Sequence, residues 1–300
     1  MDCKDLTMDY MVDRKGVGSE MLVRLILILP VAALLLGAGC GTPGVSSDRR
    51  ERLVPVPVRS VDEGDYLDDP VLCLEAAKLG QAQAQYVLAQ MFRYGRKLPR
   101  NDHQAALWFR RAAEQGVGHA QYNLGVMLQK GEGVEQDDAE AAEWLVKAAE
   151  QGVWQAYPLV GAVYALGRGV ERNDAEAVRW YERAAEREDH ESQAALGWLY
   201  LKGEGVAHDV DRGLRLLQTA ARAGNAAAQY NLGILYASVG SVQRDPVKAY
   251  GWLALAAESG LEKAAETADK LLGSLEDTAA AEARAHLDDL RAQIRARPRE

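Results

Sequence analysis

Apolar and polar residues alternate along this chain with a helical rhythm, and that rhythm recurs every 36 residues. Leu88, Leu124, Val160, Leu196 and Leu232 share one slot, and Phe92, Leu128, Tyr164, Tyr200 and Tyr236 share another. Further on, Trp108, Trp144, Trp180, Leu216 and Trp252 align, each followed by an Ala pair such as Ala112-Ala113, Ala148-Ala149 or Ala184-Ala185. No insertion interrupts the register from residue 72 to 260. Apolar positions spaced three and four apart predict amphipathic helices, and a fixed period of this length predicts a stack of identical units.

Each period holds two apolar runs joined by a glycine-rich turn, GEGV at 131, GRGV at 167 and GEGV at 203. A helical hairpin follows. The slot before the second run reads Asn101, Asp137, Asn173, Asp209 and Asp245, residues whose side chains accept from free helix N–H groups. Gln104, Glu140 and Glu176 stand three residues on, which predicts a capping box. Gly80, Gly116, Gly152, Gly224 and Gly260 mark the ends of the second helices, where a left-handed residue stops the chain. Glu188 breaks that series.

The predicted organisation is a half repeat at 70–83, five whole units at 84–119, 120–155, 156–191, 192–227 and 228–263, and capping helices with a tail at 264–300. Asp69-Pro70 reads as N-cap and first helical residue. A lone hairpin cannot bury its apolar face, so the fold class is all-α, an α/α superhelix or solenoid of helix-turn-helix repeats.

The phrases A-Q-Y-N-L-G, G-x-G-V and W-x-x-K-A-A-x-x-G closely resemble the Sel-1-like repeat, a relative of the tetratricopeptide repeat, over residues 70 to 263. That resemblance implies a right-handed superhelix whose first helices line a concave face. Leu216 for Trp, Glu188 for Gly and SVGSV at 238–242 depart from the pattern, so the fourth and fifth units are expected to be locally looser. Secreted cysteine-rich relatives carry a disulfide in each repeat, and those cysteines are absent.

The net charge is -9 with no basic run, so the footprint of a nucleic-acid binder is missing. The five histidines, His103, His119, His190, His208 and His286, fall at unrelated slots and read as solvated. Cys73 shares the slot of Phe109, Leu145 and Tyr181 and reads as a buried apolar side chain. No catalytic constellation, metal set or cofactor motif emerges. The expectation is a non-enzyme without cofactors, a protein-protein scaffold or adaptor, with an envelope hydrolase as the less favoured reading.

Ahead of the repeats, residues 22–39 are apolar apart from Arg24 and end in small residues before Cys40, a secretory leader pattern. The acidic stretch 1–20 precedes it, so Met21 is the expected start, the leader being 21–39. A membrane span is the rival reading. LLLGAGC resembles the lipobox of bacterial lipoproteins, which implies lipidation of Cys40. By the family's sorting rule, Gly41 implies the periplasmic side of the outer membrane, with the inner membrane or soluble periplasm as alternatives. Residues 40–69 read as a flexible tether.

The expected partners are therefore the membrane, through the lipid, and an envelope protein or peptide, polysaccharide-export machinery among them. By analogy with tetratricopeptide grooves, the candidate contact residues are Tyr86, Arg93, Tyr94, Tyr122, Asn123, Lys130, Trp198, Lys202, Tyr230 and Asn231. Packing accounts equally for the tyrosines and asparagines that follow the repeat pattern. Arg93, Tyr94 and Trp198 depart from their slots, which marks them for recognition.

Overall fold

The computed structural model describes residues 69–238 and 242–296. The stretch 1–20, the leader 21–39, Cys40 and the tether up to residue 68 lie outside the described residues. Thirteen α-helices and one 3-10 turn are present, with no strand among the described residues.

The first helices of the five hairpins are α2 (Ala82–Tyr94), α4 (Gly118–Lys130), α6 (Tyr157–Leu166), α8 (His190–Lys202) and α10 (Ala226–Ala237). The second helices are α3 (Asp102–Glu114), α5 (Asp138–Glu150), α7 (Asp174–Ala185), α9 (Val210–Arg222) and α11 (Pro246–Glu258). The second half of a repeat, α1 (Pro70–Lys78), precedes them. Two helices follow, α12 (Glu262–Gly273), in the register of a first helix, and α13 (Asp277–Arg295). Each helix packs chiefly on its sequence neighbours, while α13 lies on α11.

Inner slots hold the stack together. Leu88, Leu124, Val160 and Leu232 are fully buried, and burying each such side chain contributes about 1.5–3 kcal/mol. Trp108, Trp180 and Trp252 are buried and Trp144 half-buried. In the first three units a cation three residues on covers the ring, Arg111 at 4.5 Å, Lys147 at 4.4 Å and Arg183 at 4.7 Å. First and second helices approach closely at Gly125, where a Cβ would stand 2.7 Å from Leu145.

The second glycine of each G-x-G turn serves the contact between units. A Cβ on Gly133, Gly169 or Gly205 would lie 2.0–2.3 Å from backbone atoms of Asp102, Asp138 or Asp174 in the preceding unit, and each of these glycines has φ near +70°. Glu188 holds its glycine slot at φ 61°, a left-handed conformation that costs a side-chain-bearing residue roughly 1–2 kcal/mol.

Capping differs from the expected box in one half. Asn101, Asp137, Asn173, Asp209 and Asp245 each accept from the N–H three residues on, at 2.9–3.1 Å. Their own N–H groups donate instead across the hairpin, to the carbonyls of Phe92, Leu128, Tyr164, Tyr200 and Tyr236. Glu140 is thereby left free to accept from Arg110 and from the Trp144 indole. Where other first helices close on a left-handed glycine, α10 ends on extended Ser238.

A buried glutamine joins consecutive units. Gln85, Gln121, Gln193 and Gln229 donate from Nε2 to the carbonyls of Ala77, Ala113, Ala185 and Ala221, near the end of the preceding second helix, where carbonyls lack partners. Tyr157 replaces this glutamine in the third unit, and a 3-10 turn, Trp154–Ala156, takes up the opening of α6.

Candidate binding face on the first helices

Helices with one side toward solvent ordinarily carry charge on it. The five first helices carry little: Arg93, Lys130, Glu191 and Lys202 are their charged residues, whereas α5 alone holds Asp138, Glu140, Glu143, Lys147 and Glu150. The outward slots hold amides, aromatics and aliphatics. One slot forms a row through four units, Val126, Ala162, Trp198 and Ile234, all half-buried. Gln90 stands at one end of it and Lys270 of α12 at the other.

The structure distributes the candidate contact residues unequally. Tyr94 is 57% exposed, with the Arg96 guanidinium 5.6 Å from its ring centre. Lys130 is exposed at the end of α4. Trp198 is half-buried, and the Lys202 ammonium lies 5.2 Å from its ring and 3.6 Å from Glu204. Trp198 belongs to the row, and Tyr94, Lys130 and Lys202, with half-buried Tyr122 and Asn231, lie one helical turn from its slot.

Others are engaged in packing. Arg93 pairs with Asp102 at 3.0 Å and with Glu132 of the next unit, so it ties two units together despite departing from its slot. Asp102 also takes Arg100 at 2.8 Å, and the two guanidiniums hold its carboxyl below the usual carboxylate range. Tyr86 accepts from Gln90 at 2.7 Å and tilts against Phe109. Burial raises its phenol above the ordinary value. Asn123 donates to the carbonyl of His119 at 2.7 Å. Tyr230 is only 6% exposed and packs with Leu253, Ala264 and Ala268.

The 36-residue period already held the signal that joins Val126, Ala162, Trp198 and Ile234 in one slot. Trp154, in the 3-10 turn, is 48% exposed. Cys73 is fully buried, its thiol donates to the carbonyl of Ala84, and desolvation pushes its pKa up to about 11. His286, expected in solvent, is half-buried with Nε2 enclosed and unbonded. Its burial follows from the docking of α13 on α11, a contact invisible to a repeat-slot reading. Among the described residues no group of His, Cys, Asp and Glu is placed to hold a metal ion, and no helix is long and apolar enough to cross a membrane.

The Sel1 repeat matches this chain five times, at residues 82–117, 118–153, 156–189, 190–225 and 226–261. The chain belongs to the Sel1 repeat family. It is similar to the crystal structure of a Sel1 repeat protein from Oxalobacter formigenes, with 31% identity and a TM-score of 0.54 over 64% of this chain and 84% of that one. It is also similar to a protective antigen of uropathogenic Escherichia coli strains, with 29% identity and a TM-score of 0.47 over 75% of this chain and 56% of that one. No curated protein matches it in sequence. Sel1 repeat proteins are in general non-enzymatic protein-interaction scaffolds. The third Sel1 match begins only at Ala156, so Trp154 and Gln155 stand between two matched units.

Proposed function

We propose that this Sel1 repeat protein is a non-enzymatic adaptor of the bacterial cell envelope, held to a membrane by lipid on Cys40, that binds a protein partner through the outward row of its first helices. One observation carries the reading. Val126, Ala162, Trp198 and Ile234 repeat an apolar side chain at an outward slot, while α12, in the same register, places Lys270 at the slot of Ile234 and still packs on α11. Val126, Trp198 and Ile234 also lean on the core of the stack, but a lysine at this slot in α12 is compatible with packing on α11. Protein interfaces do favour apolar residues, because interface centres are depleted of charge and enriched in aromatic residues.

The test is photo-crosslinking from the row in the intact envelope, comparing the native protein with Val126→Lys and Trp198→Ala. An envelope protein crosslinked by the native chain and lost in both variants is the expected result. Crosslinks that survive both substitutions would sink the reading. Intact mass of the mature protein decides the anchor, since acyl chains on Cys40 and a plain leader cut give distinct masses. We place the protein on the periplasmic side of the outer membrane because Gly41 follows Cys40. Service to polysaccharide export is a narrower form of the same reading, and unchanged polymer secretion in a deletion strain would remove it.

A further inference from the structure

The C-terminal end of the stack is closed by α13, whose docking uses one slot in an unusual way. Second helices carry Val71, Leu107, Glu143, Arg179 and Arg215 at a common position, and α11 carries Gly251 there. A Cβ at 251 would press against the His286 ring at 2.9 Å and a methyl of Leu290 at 3.0 Å. The missing side chain thus makes a seat for an imidazole. Around it Leu287 and Leu290 are buried in the cluster of Tyr236, Trp252 and Leu255, and Arg291 pairs with Glu258 of α11.

His286 brings an imidazole to this contact. Its Nε2 is enclosed and, among the described residues, has no hydrogen-bond partner. A neutral imidazole can leave that nitrogen as a bare acceptor, whereas a protonated one would bury a charged N–H with nothing to receive it. Three charged groups face the ring. Asp245, the N-cap of α11, and Lys248 of α11 form an ion pair at 2.9 Å, and Asp289 comes from α13 itself. The two carboxylates favour the cation and Lys248 opposes it, but desolvation outweighs the carboxylates and holds the imidazole below its ordinary value.

We propose that α13 is an acid-sensitive cap, released from α11 when His286 takes up a proton, so that the apolar end of the stack is uncovered. The sign follows from linkage. Undocked, the imidazole binds a proton more tightly than it does when docked, so protons favour release. The cap is fully held above the ordinary histidine value of 6.5, weakens as the pH falls below it and is weakest once the docked ring itself is protonated.

Hydrogen exchange on the full-length protein at pH 7.5 and 5.5 tests this, with rates corrected for the intrinsic pH dependence of exchange. Amides of α13 should exchange at least about threefold faster at the lower pH while those of α8 do not change. In His286→Gln that ratio should fall to one. A ratio of one in the native protein, or a ratio that persists in the variant, overturns the proposal. Should the variant lose α13 protection at both pH values, NMR titration of the native His286 ring decides. A midpoint below 6.5 upholds the proposal, and one at or above 6.5 overturns it.

Discussion

Helices α10 and α12 stand 36 residues apart in the same register and pack on opposite sides of α11 in sequence. Their inner slots agree in kind, Ala228 and Leu232 in one and Ala264 and Ala268 in the other, all buried. Their outer slots do not. No charged residue occurs in α10, whereas α12 has Glu262, Lys263, Glu266, Asp269 and Lys270 in twelve positions. The pair separates two demands that a repeat sequence mixes. Packing dictates the inner slots because a buried side chain must fill its space. At the end of the stack the outer slots of α12 carry charge, whereas in the inner units Val126, Trp198 and Ile234 keep part of an apolar side chain open while also leaning on the core.

The comparison can be pressed from both sides. Leu232→Ala, which gives α10 the residue α12 has at its corresponding position, should have the largest effect. It removes a fully buried side chain, and about 3 kcal/mol should be lost in a urea titration. Gly169→Ala should cost at least about 2 kcal/mol, because it combines a left-handed backbone with a clash against Asp138. Its control is Gly152→Ala, where nothing lies within 4 Å and only the backbone penalty of about 1 kcal/mol remains. Equal losses at the two glycines would refute the contact between units.

Two substitutions should stabilise. Ser192 is buried with an unbonded hydroxyl where the other first helices have alanine, and Ser192→Ala should add about 1 kcal/mol. Glu188→Gly should add a similar amount, about 1 kcal/mol, by restoring the left-handed glycine. A fall in melting temperature for either variant would contradict the account. The smallest change in stability is expected for Ile234→Lys, the α12 residue at that slot, at under about 1 kcal/mol because the lysine stem can still cover the surface. Crosslinking of the partner should nevertheless be lost. A larger stability loss without any effect on crosslinking would make Ile234 a packing residue and reverse the argument.

Much of this was legible in the chain. The N-cap slot from Asn101 to Asp245 and the glycines after the second helices are local devices, and local devices show in a sequence because each acts within a few residues. Sequence reading also proposed the first-helix face for binding, and it assigned Arg93 to recognition and His286 to solvent. Arg93 is claimed by Glu132, 39 residues away. His286 is enclosed because Gly251 left room for it. The second half of the capping box failed for the same reason, its N–H having found a carbonyl on the facing helix.

By itself the sequence determined the period, the hairpin, the caps and the family, since the 36-residue recurrence of apolar, small and capping residues admits few other folds. Tertiary structure alone decided which outward side chains remain available, that Tyr230 is covered while Tyr94 is open, and that the final helix seats an imidazole on α11. Those outcomes depend on which surfaces meet between units, and a periodic sequence specifies the contact common to all units without marking where one unit departs from it.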